Sequence, residues 1–509
     1  MHADAGATWF GHPRGLYVLF LTEMWERFSF YGMRALLVLY LTQHFLFDDR
    51  TAAGMYAAYG SMVYLMPLLG GLVADRWLGF RRAVLFGAVL LCCGHLLMAF
   101  EGQQAMVQGG EVTRDSAALQ VMYLALACII VGVGLLKPSI SSMVGQLYHA
   151  DDPRRDRGFT LFYMGINLGA LSAMLLCGWL GQSYGWSYGF GAAGIGMLVG
   201  LVTFARGRDL LAGAGEPPSL PRLQARIAGL RREWLIYAGS LLAVLFSFVL
   251  MQRQQWIGGL LGLASCGAVA GIIWYVLAKC GKVERDRMLV VLLLTSVSVV
   301  FWAFFEQAGS SMTLFTERNV ERSVFGVTMQ AAQLGFMNPA FIILLAPVFS
   351  WCWWLLARHR LEPSTPVKFG LGLVQMGIGF GMLVLGAGLA DANGQVALLW
   401  LMLAYLFHTS GELCISPVGL SMVTRLSVAR LVGLMMGVWF LANAGAHYLA
   451  GLIAGLASIP TAPGSEVDPV ASLPIYSHTF GLLAGGGILL GIAVIAVAPL
   501  IRRRMHMPD

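Results

Sequence analysis

Fourteen stretches of this chain are apolar for long enough to cross a bilayer, and no other property limits its fold so severely. They lie at about residues 14–43, 52–76, 81–101, 119–148, 157–184, 186–206, 232–251, 256–279, 288–316, 324–357, 367–390, 396–427, 430–458 and 474–501. Each meets the roughly 20 residues a spanning helix requires. Backbone polar groups in hydrocarbon have no water to bond, so segments of this kind read as helices. With 58% hydrophobic and 12% charged residues and a mean hydropathy of +0.72, a soluble globular domain is excluded. The first stretch carries ionised side chains and lacks a small-residue cleavage site. It is therefore expected to stay as a spanning helix and not to be removed as a signal peptide.

Most of the 33 Lys and Arg fall in segments that a cytoplasmic N-terminus places inside, the bias that sets membrane topology. Both termini are then expected in the cytoplasm. The net charge of +7 follows from that orientation and is not a nucleic-acid footprint. The clusters Arg154, Arg155, Arg157 and Arg502, Arg503, Arg504 are expected to face anionic lipid. The eight cysteines form no C-x-x-C pair, so neither a disulfide nor a metal site is expected. No Walker loop, H-E-x-x-H or G-x-S-x-G occurs, so the chain is not expected to be an enzyme and has no evident means of hydrolysing ATP. No cofactor is expected beyond protons as the coupling ion, because any transport must run on a gradient.

The Gly-, Pro- and Arg-rich segment 207–231 reads as a cytoplasmic linker after a six-helix bundle at 1–206, ahead of an inserted helix pair at 232–279 and a second six-helix bundle at 280–509. A weak internal repeat equates the outer bundles. Trp25-Glu26-Arg27 aligns with Phe305-Glu306-Gln307, and Ser142-Met143-Val144 with Ser421-Met422-Val423, the last two runs following Pro138 and Pro417. Duplicated bundles of this kind place a substrate site between repeats near the midplane.

Seven ionisable residues lie inside these spans: Glu23, Glu26, Arg27 and Arg34, then Lys137, Glu306 and Glu412. A charge at bilayer depth costs roughly 2.5–3.5 kcal/mol even on insertion scales, so each must face a partner or an aqueous cavity. This pattern points to a transporter. In the first span Glu23, Glu26, Arg27, Phe30, Tyr31 and Arg34 share one arc of about 140° at 100° per residue.

The loop after the second span, with Gly71, Asp75, Arg76, Gly79, Arg81 and Arg82, resembles the signature of the major facilitator superfamily, where an acid and bases at a cytoplasmic helix end can latch neighbouring helices. The run Glu23-Met24-Trp25-Glu26-Arg27-Phe28-Ser29-Phe30-Tyr31-Gly32 resembles the E-x-x-E-R-F-x-Y-Y-G motif of the proton-coupled oligopeptide transporter family, with Phe30 replacing the first tyrosine. Further matches are Gly134 to Pro138, Phe162 to Gly169, Phe301 to Gln307, Asn338-Pro339, Gly411 to Leu420 and Trp439 to Leu441, with Ser139 where Asn is usual. The resemblance implies an all-α integral membrane protein of the major facilitator fold, two six-helix bundles plus an inserted pair, as in the bacterial fourteen-helix branch. It also implies symport of di- and tripeptides with protons into the cytoplasm, across a bacterial inner membrane, by a chain acting as a monomer.

The chemistry is consistent with that implication. A peptide zwitterion presents an ammonium, a carboxylate and variable side chains. Arg34 suits the carboxylate by a bidentate fork and Lys137 as a point charge. Glu412 with Asn338 suits the ammonium, with Ser416 one turn on, while Tyr31, Tyr64, Asn167 and Trp439 line a tolerant cavity. Glu306 is the candidate proton carrier, with Arg34 as its expected partner, and Glu23 and Glu26 can exchange protons against Arg27 and Lys137. Some family members carry a histidine on the second helix, where this chain has Gly60. Other readings stay open at several positions. Arg27 is either part of proton coupling or a structural ion pair for Glu26, and His408 either tunes Glu412 or fills the core. Trp439 is either a cavity wall or interface packing, and His95 and His447 read as structural. Ser416-Pro417 is expected to interrupt its helix. A carrier of another anion or amphipathic drug on the same scaffold is the nearest alternative function, with a channel or a membrane enzyme further off.

Overall fold

A computed structural model describes residues 8–506 apart from 150, 228, 325 and 463. Fourteen long helices are found among the described residues: α1 Arg14–Gln43, α2 Asp49–Val73, α3 Phe80–Met98, α4 Ser116–Gln146, α5 Arg155–Tyr184, α6 Trp186–Gly207, α7 Arg232–Gln252, α8 Gln254–Lys279, α9 Lys282–Phe305, α10 Met337–Arg358, α11 Thr365–Gly388, α12 Leu398–Leu426, α13 Val432–Ala454 and α14 Pro469–Met505. Thirteen are long and apolar enough to cross a membrane by length and composition. The other, α1, is 30 residues long and falls below that apolarity because of Glu23, Glu26, Arg27 and Arg34. The chain is a multi-pass helical membrane protein.

Two compact units divide the chain. The first comprises 1–46, 62–253 and 332–336, the second 47–61, 254–331 and 337–509. In the first, α1 packs on α5 and α6, α3 on α4 and α6, and α7 on α4. In the second, α11 packs on α12 and α14, α9 on α13, and α8 on α9 and α13. The pair α7 and α8 is thus divided between the units by its packing, and α2 changes unit within its own length.

Small residues set the closest approaches. A Cβ on Gly70 of α2 would lie 2.1 Å from the Gly134 carbonyl oxygen of α4, and one on Gly169 of α5 would lie 2.2 Å from the Met24 carbonyl oxygen of α1. Only glycine permits such backbone contact. The expected interruption at Ser416-Pro417 is absent. Helix α12 runs through Pro417, as α4 runs through Pro138, since neighbouring helices and hydroxyls can satisfy the freed backbone groups. Around Pro138, Ser139 Oγ donates to the Leu135 carbonyl at 2.6 Å and Ser142 Oγ to the Pro138 carbonyl at 2.9 Å.

The span expected at 324–357 is broken at its start. A short helix at Ala331–Leu334 precedes α10. Its Ala332 N–H donates to Gln182 Oε1 at 2.9 Å, and Gln333 Nε2 donates to the Leu175 carbonyl at 3.1 Å, which ties this segment to α5. Arg154, expected to face lipid, is exposed and also makes contacts within the protein. It pairs with Asp152 at 2.8 Å and donates to the Gly11 carbonyl at 3.0 Å. The same guanidinium pulls the Asp152 carboxyl down to about 2 by hydrogen bonding to its charged form.

Candidate functional site

The charged face of α1 is buried in the first unit. Glu23, Glu26 and Arg27 are 2%, 0% and 3% exposed. Arg27 Nε lies 3.0 Å from Glu23 Oε1 and 2.5 Å from Glu26 Oε2. One guanidinium therefore serves two carboxylates. It also sits over the Phe30 ring, 5.4 Å from its centroid. The ring at position 30 thus contributes a cation–π face that needs no hydroxyl.

Further along the same face, Tyr31 and Arg34 are half-buried. Lys137 of α4 lies over the Tyr64 ring of α2, 4.6 Å from its centroid. Among the described residues no carboxylate is within ion-pair distance of Lys137, and its closest complementary contact is the Tyr64 face. Asn167 of α5, 5% exposed, donates to the Tyr163 carbonyl at 3.1 Å, leaving its amide oxygen for other use. Tyr31, Arg34, Tyr64, Lys137 and Asn167 all belong to the first unit.

In the second unit α9 ends at Phe305, and Glu306 opens a 3-10 turn, Glu306–Gly309, before the helix Ser311–Asn319. Glu306 is 4% exposed, and its Oε2 lies 3.5 Å from His447 Nδ1 of α13. His447, read from sequence as structural, is thus a neighbour of the candidate proton carrier. Asn338 of α10 donates from Nδ2 to Glu412 Oε2 at 3.0 Å and to Thr409 Oγ1 at 3.1 Å. The expected pairing of Asn338 with Glu412 is therefore present. Glu412 has no cationic partner among the described residues.

His408 is 1% exposed and packs on α11. Its ring centroid is 4.5 Å from that of Phe380, and a Cβ on Gly379 would meet its Cδ2 at 2.4 Å. It reads as a core residue wedged between helices. Trp439 is 7% exposed and lies on Gly419 of α12, whose Cβ would meet the indole at 2.4 Å. It is buried and is not an interface anchor. Ser416 is half-buried and Pro417 exposed.

The loop between α2 and α3 shows how its signature works. Gly71 lies against Pro138, with 3.3 Å from its would-be Cβ to the proline ring. Gly79 has φ +80 and would place a Cβ 2.6 Å from the Pro217 nitrogen, so Gly71 admits a proline ring and Gly79 a neighbouring backbone. Arg81 pairs with Glu216 and donates to the Arg208 carbonyl at 2.7 Å. Arg82 reaches Glu233 at the start of α7 at 3.1 Å. The acids that take these arginines come from the linker and α7. Asp75, expected to cluster with the bases, is instead exposed and makes no ion pair among the described residues, as does its neighbour Arg76. Both lie in a π-helical turn, Ala74–Leu78, whose buried residues are Ala74 and Leu78.

A buried cluster unmarked by the sequence lies in the second unit. Asp49, at the start of α2, receives two hydrogen bonds from Arg318 at 2.7 and 2.8 Å and one from the Ile459 N–H at 3.2 Å. Arg318 also donates to the Tyr476 hydroxyl at 2.8 Å. Both charges sit near span ends, where hydropathy alone gives no sign of burial.

The sequence profile of the POT family matches residues 81–467. The chain belongs to the POT family. Similar proteins include the "Uncharacterized transporter YclF" of Bacillus subtilis, 37% identical over 97% of this chain and 96% of that one. The "Peptide transporter YePEPT" of Yersinia enterocolitica is 38% identical over 89% and 90% of the two chains. Among solved structures, a mutant of the peptide transporter POT in complex with alafosfalin superposes with a TM-score of 0.83 at 34% identity, covering 99% of this chain and 98% of the other. The major facilitator architecture of this POT family chain follows from that likeness, and its relatives are named as transporters.

Proposed function

We propose that this chain carries di- and tripeptides into the cytoplasm together with protons, by alternating access, across a bacterial inner membrane with both termini inside. The observation that carries the reading is a pair of half-buried charges with no ion-pair partner among the described residues. Lys137 in the first unit lies on an aromatic face with no carboxylate at ion-pair distance, and Glu412 in the second has an amide but no cation at that distance. Removing a charge from water without pairing it is costly, so each is suited to a ligand that brings an opposite charge. A peptide zwitterion supplies both.

In this reading Arg34 and Lys137 take the peptide carboxylate, while Glu412, steadied by Asn338, takes the ammonium. Tyr31, Tyr64, Asn167, Ser416 and Trp439 accommodate side chains. Glu306 carries the coupling proton, no other cofactor is needed, and one chain is the transport unit. Relatives named as peptide transporters support the substrate class. The family also supports the driving ion. Glu23, Glu26 and Arg27 form an ion-pair cluster within one helix and so serve mainly to hold α1 in place, with proton exchange secondary.

The test is uptake by purified protein in liposomes under an imposed inward proton gradient, with a panel of dialanine competitors. Saturable uptake that stops when the gradient is collapsed is expected. Uptake that ignores the gradient would reject proton coupling. Competition by a simple anion as strongly as by dialanine would favour a carrier of another anion, since Lys137 alone would hold either.

A further inference from the structure

We propose that His447 is the positioning residue for the Glu306 carboxylate, and that Gly60 exists at its position to let the imidazole reach it. This rests on the reading of Glu306 as proton carrier. The two side chains are 5% and 4% exposed, with Nδ1 and Oε2 3.5 Å apart. A Cβ on Gly60 of α2 would lie 2.7 Å from His447 Nδ1, 3.1 Å from Cγ and 3.4 Å from Cε1. Any side chain at position 60 would therefore occupy the space the imidazole now fills.

The surroundings hold this arrangement in register, all within the second unit. Gln307, next to Glu306, donates from Nε2 to the Ala450 carbonyl at 3.0 Å, one turn beyond His447 on α13, and its Oε1 accepts from Ser311 Oγ at 2.7 Å. On the same face of α13, a Cβ on Gly451 would meet the Ala57 Cβ of α2 at 2.3 Å, and one on Gly309 would meet the Tyr56 hydroxyl oxygen of α2 at 1.7 Å. Three glycines thus draw α2, α13 and the turn at Glu306 together around one carboxylate and one imidazole. Packing alone would not place a ring nitrogen beside a buried carboxyl.

Imidazole suits this place because it can serve both protonation states of its neighbour. A ring nitrogen bearing hydrogen donates to the ionised carboxylate, and the other tautomer accepts from the protonated acid. The carboxyl can then gain and lose its proton with a ring nitrogen of matching character beside it in both states.

The test compares gradient-driven uptake with peptide counterflow in proteoliposomes, because counterflow needs peptide exchange but no net proton movement. Four variants suffice: E306Q as reference, H447F, H447N and G60A. Phenylalanine keeps ring volume without nitrogen. Asparagine keeps a polar atom near the place of Nδ1, and alanine at 60 moves the imidazole without changing it. The expectation is a loss of about tenfold in the ratio of driven uptake to counterflow for H447F and G60A, the size of one hydrogen bond to a charged group, with H447N retaining most of the ratio. Should H447F fail to fold in a thermal unfolding scan, G60A and H447N decide. A ratio within about twofold of the parent in G60A or H447F, while E306Q loses it, would overturn the role of His447. An unchanged ratio in E306Q would reject Glu306 as the carrier, and the inference with it.

Discussion

The carboxylate sites of α1 and α12 meet the same physical problem in different ways. On α1, Glu23 and Glu26 share Arg27 at 3.0 and 2.5 Å, so each has a cation four or one positions away on the same helix. On α12, the half-buried Glu412 has a neutral amide from Asn338 at 3.0 Å and no cation among the described residues. The first arrangement carries its own cation, and the second does not. Motif membership alone does not separate the two, because both belong to runs that mark the family. What separates them is whether an opposite charge is already in place.

The sharpest way to break this comparison is to remove the shared cation. Arg27→Ala would leave two carboxylates buried and unpaired, a loss of about 3–5 kcal/mol. We expect little folded protein in detergent by thermal unfolding, whereas Glu412→Gln, which keeps an amide-bonded neutral group, should unfold close to the parent. Comparable losses in both would erase the distinction.

Glu306 offers a third case, a carboxylate beside an imidazole 3.5 Å away. Glu306→Gln should abolish gradient-driven uptake while leaving peptide counterflow, measured in the same proteoliposomes. Equal loss of both in a folded variant would remove its proton-specific role.

Much of this was legible in the sequence, for identifiable reasons. The charged arc of α1 lies within one helix, so a 100° step brings Glu23, Glu26 and Arg27 together without any knowledge of packing. Asn338 and Glu412 were paired from motifs alone. The contact of His447 with Glu306 joins positions 141 apart, and that of Arg318 with Asp49 joins positions 269 apart. No periodicity encodes such pairs. The available signal was Gly60 on α2, which faces His447, and Gly451 on α13, which faces Ala57, and their meaning depends on which helices touch. Asp75 misleads for the opposite reason. Its surroundings are inferred from charge, and it lies exposed in a π-helical turn away from the arginines' acidic partners.

Two smaller effects sharpen the account of how helices are held around these sites. Gly70→Ala would force α2 away from the Gly134 carbonyl, 2.1 Å from the new Cβ, and should lower stability by about 1–3 kcal/mol as overpacking does. Urea or thermal unfolding would show it. Arg82→Ala removes a partly exposed ion pair to Glu233 and should change stability by at most about 1 kcal/mol. A larger loss from Arg82 than from Gly70 would mean that the loop signature, not the glycine contact, holds this end of the bundle.

The central claim is that Lys137 and Glu412, without ion-pair partners among the described residues, take the two ends of a peptide. Its most direct measurement is competition binding in detergent with dialanine, its C-terminal amide and its N-acetyl form, for the parent, Lys137→Ala and Glu412→Ala. Losing a charge-assisted hydrogen bond of about 1.5–3 kcal/mol corresponds to roughly tenfold to a hundredfold in Kd. We expect Lys137→Ala to lose that much for dialanine and the N-acetyl form and little for the amide, and Glu412→Ala to lose it for dialanine and the amide and little for the N-acetyl form. Equal losses for all three ligands in both folded variants would contradict the account.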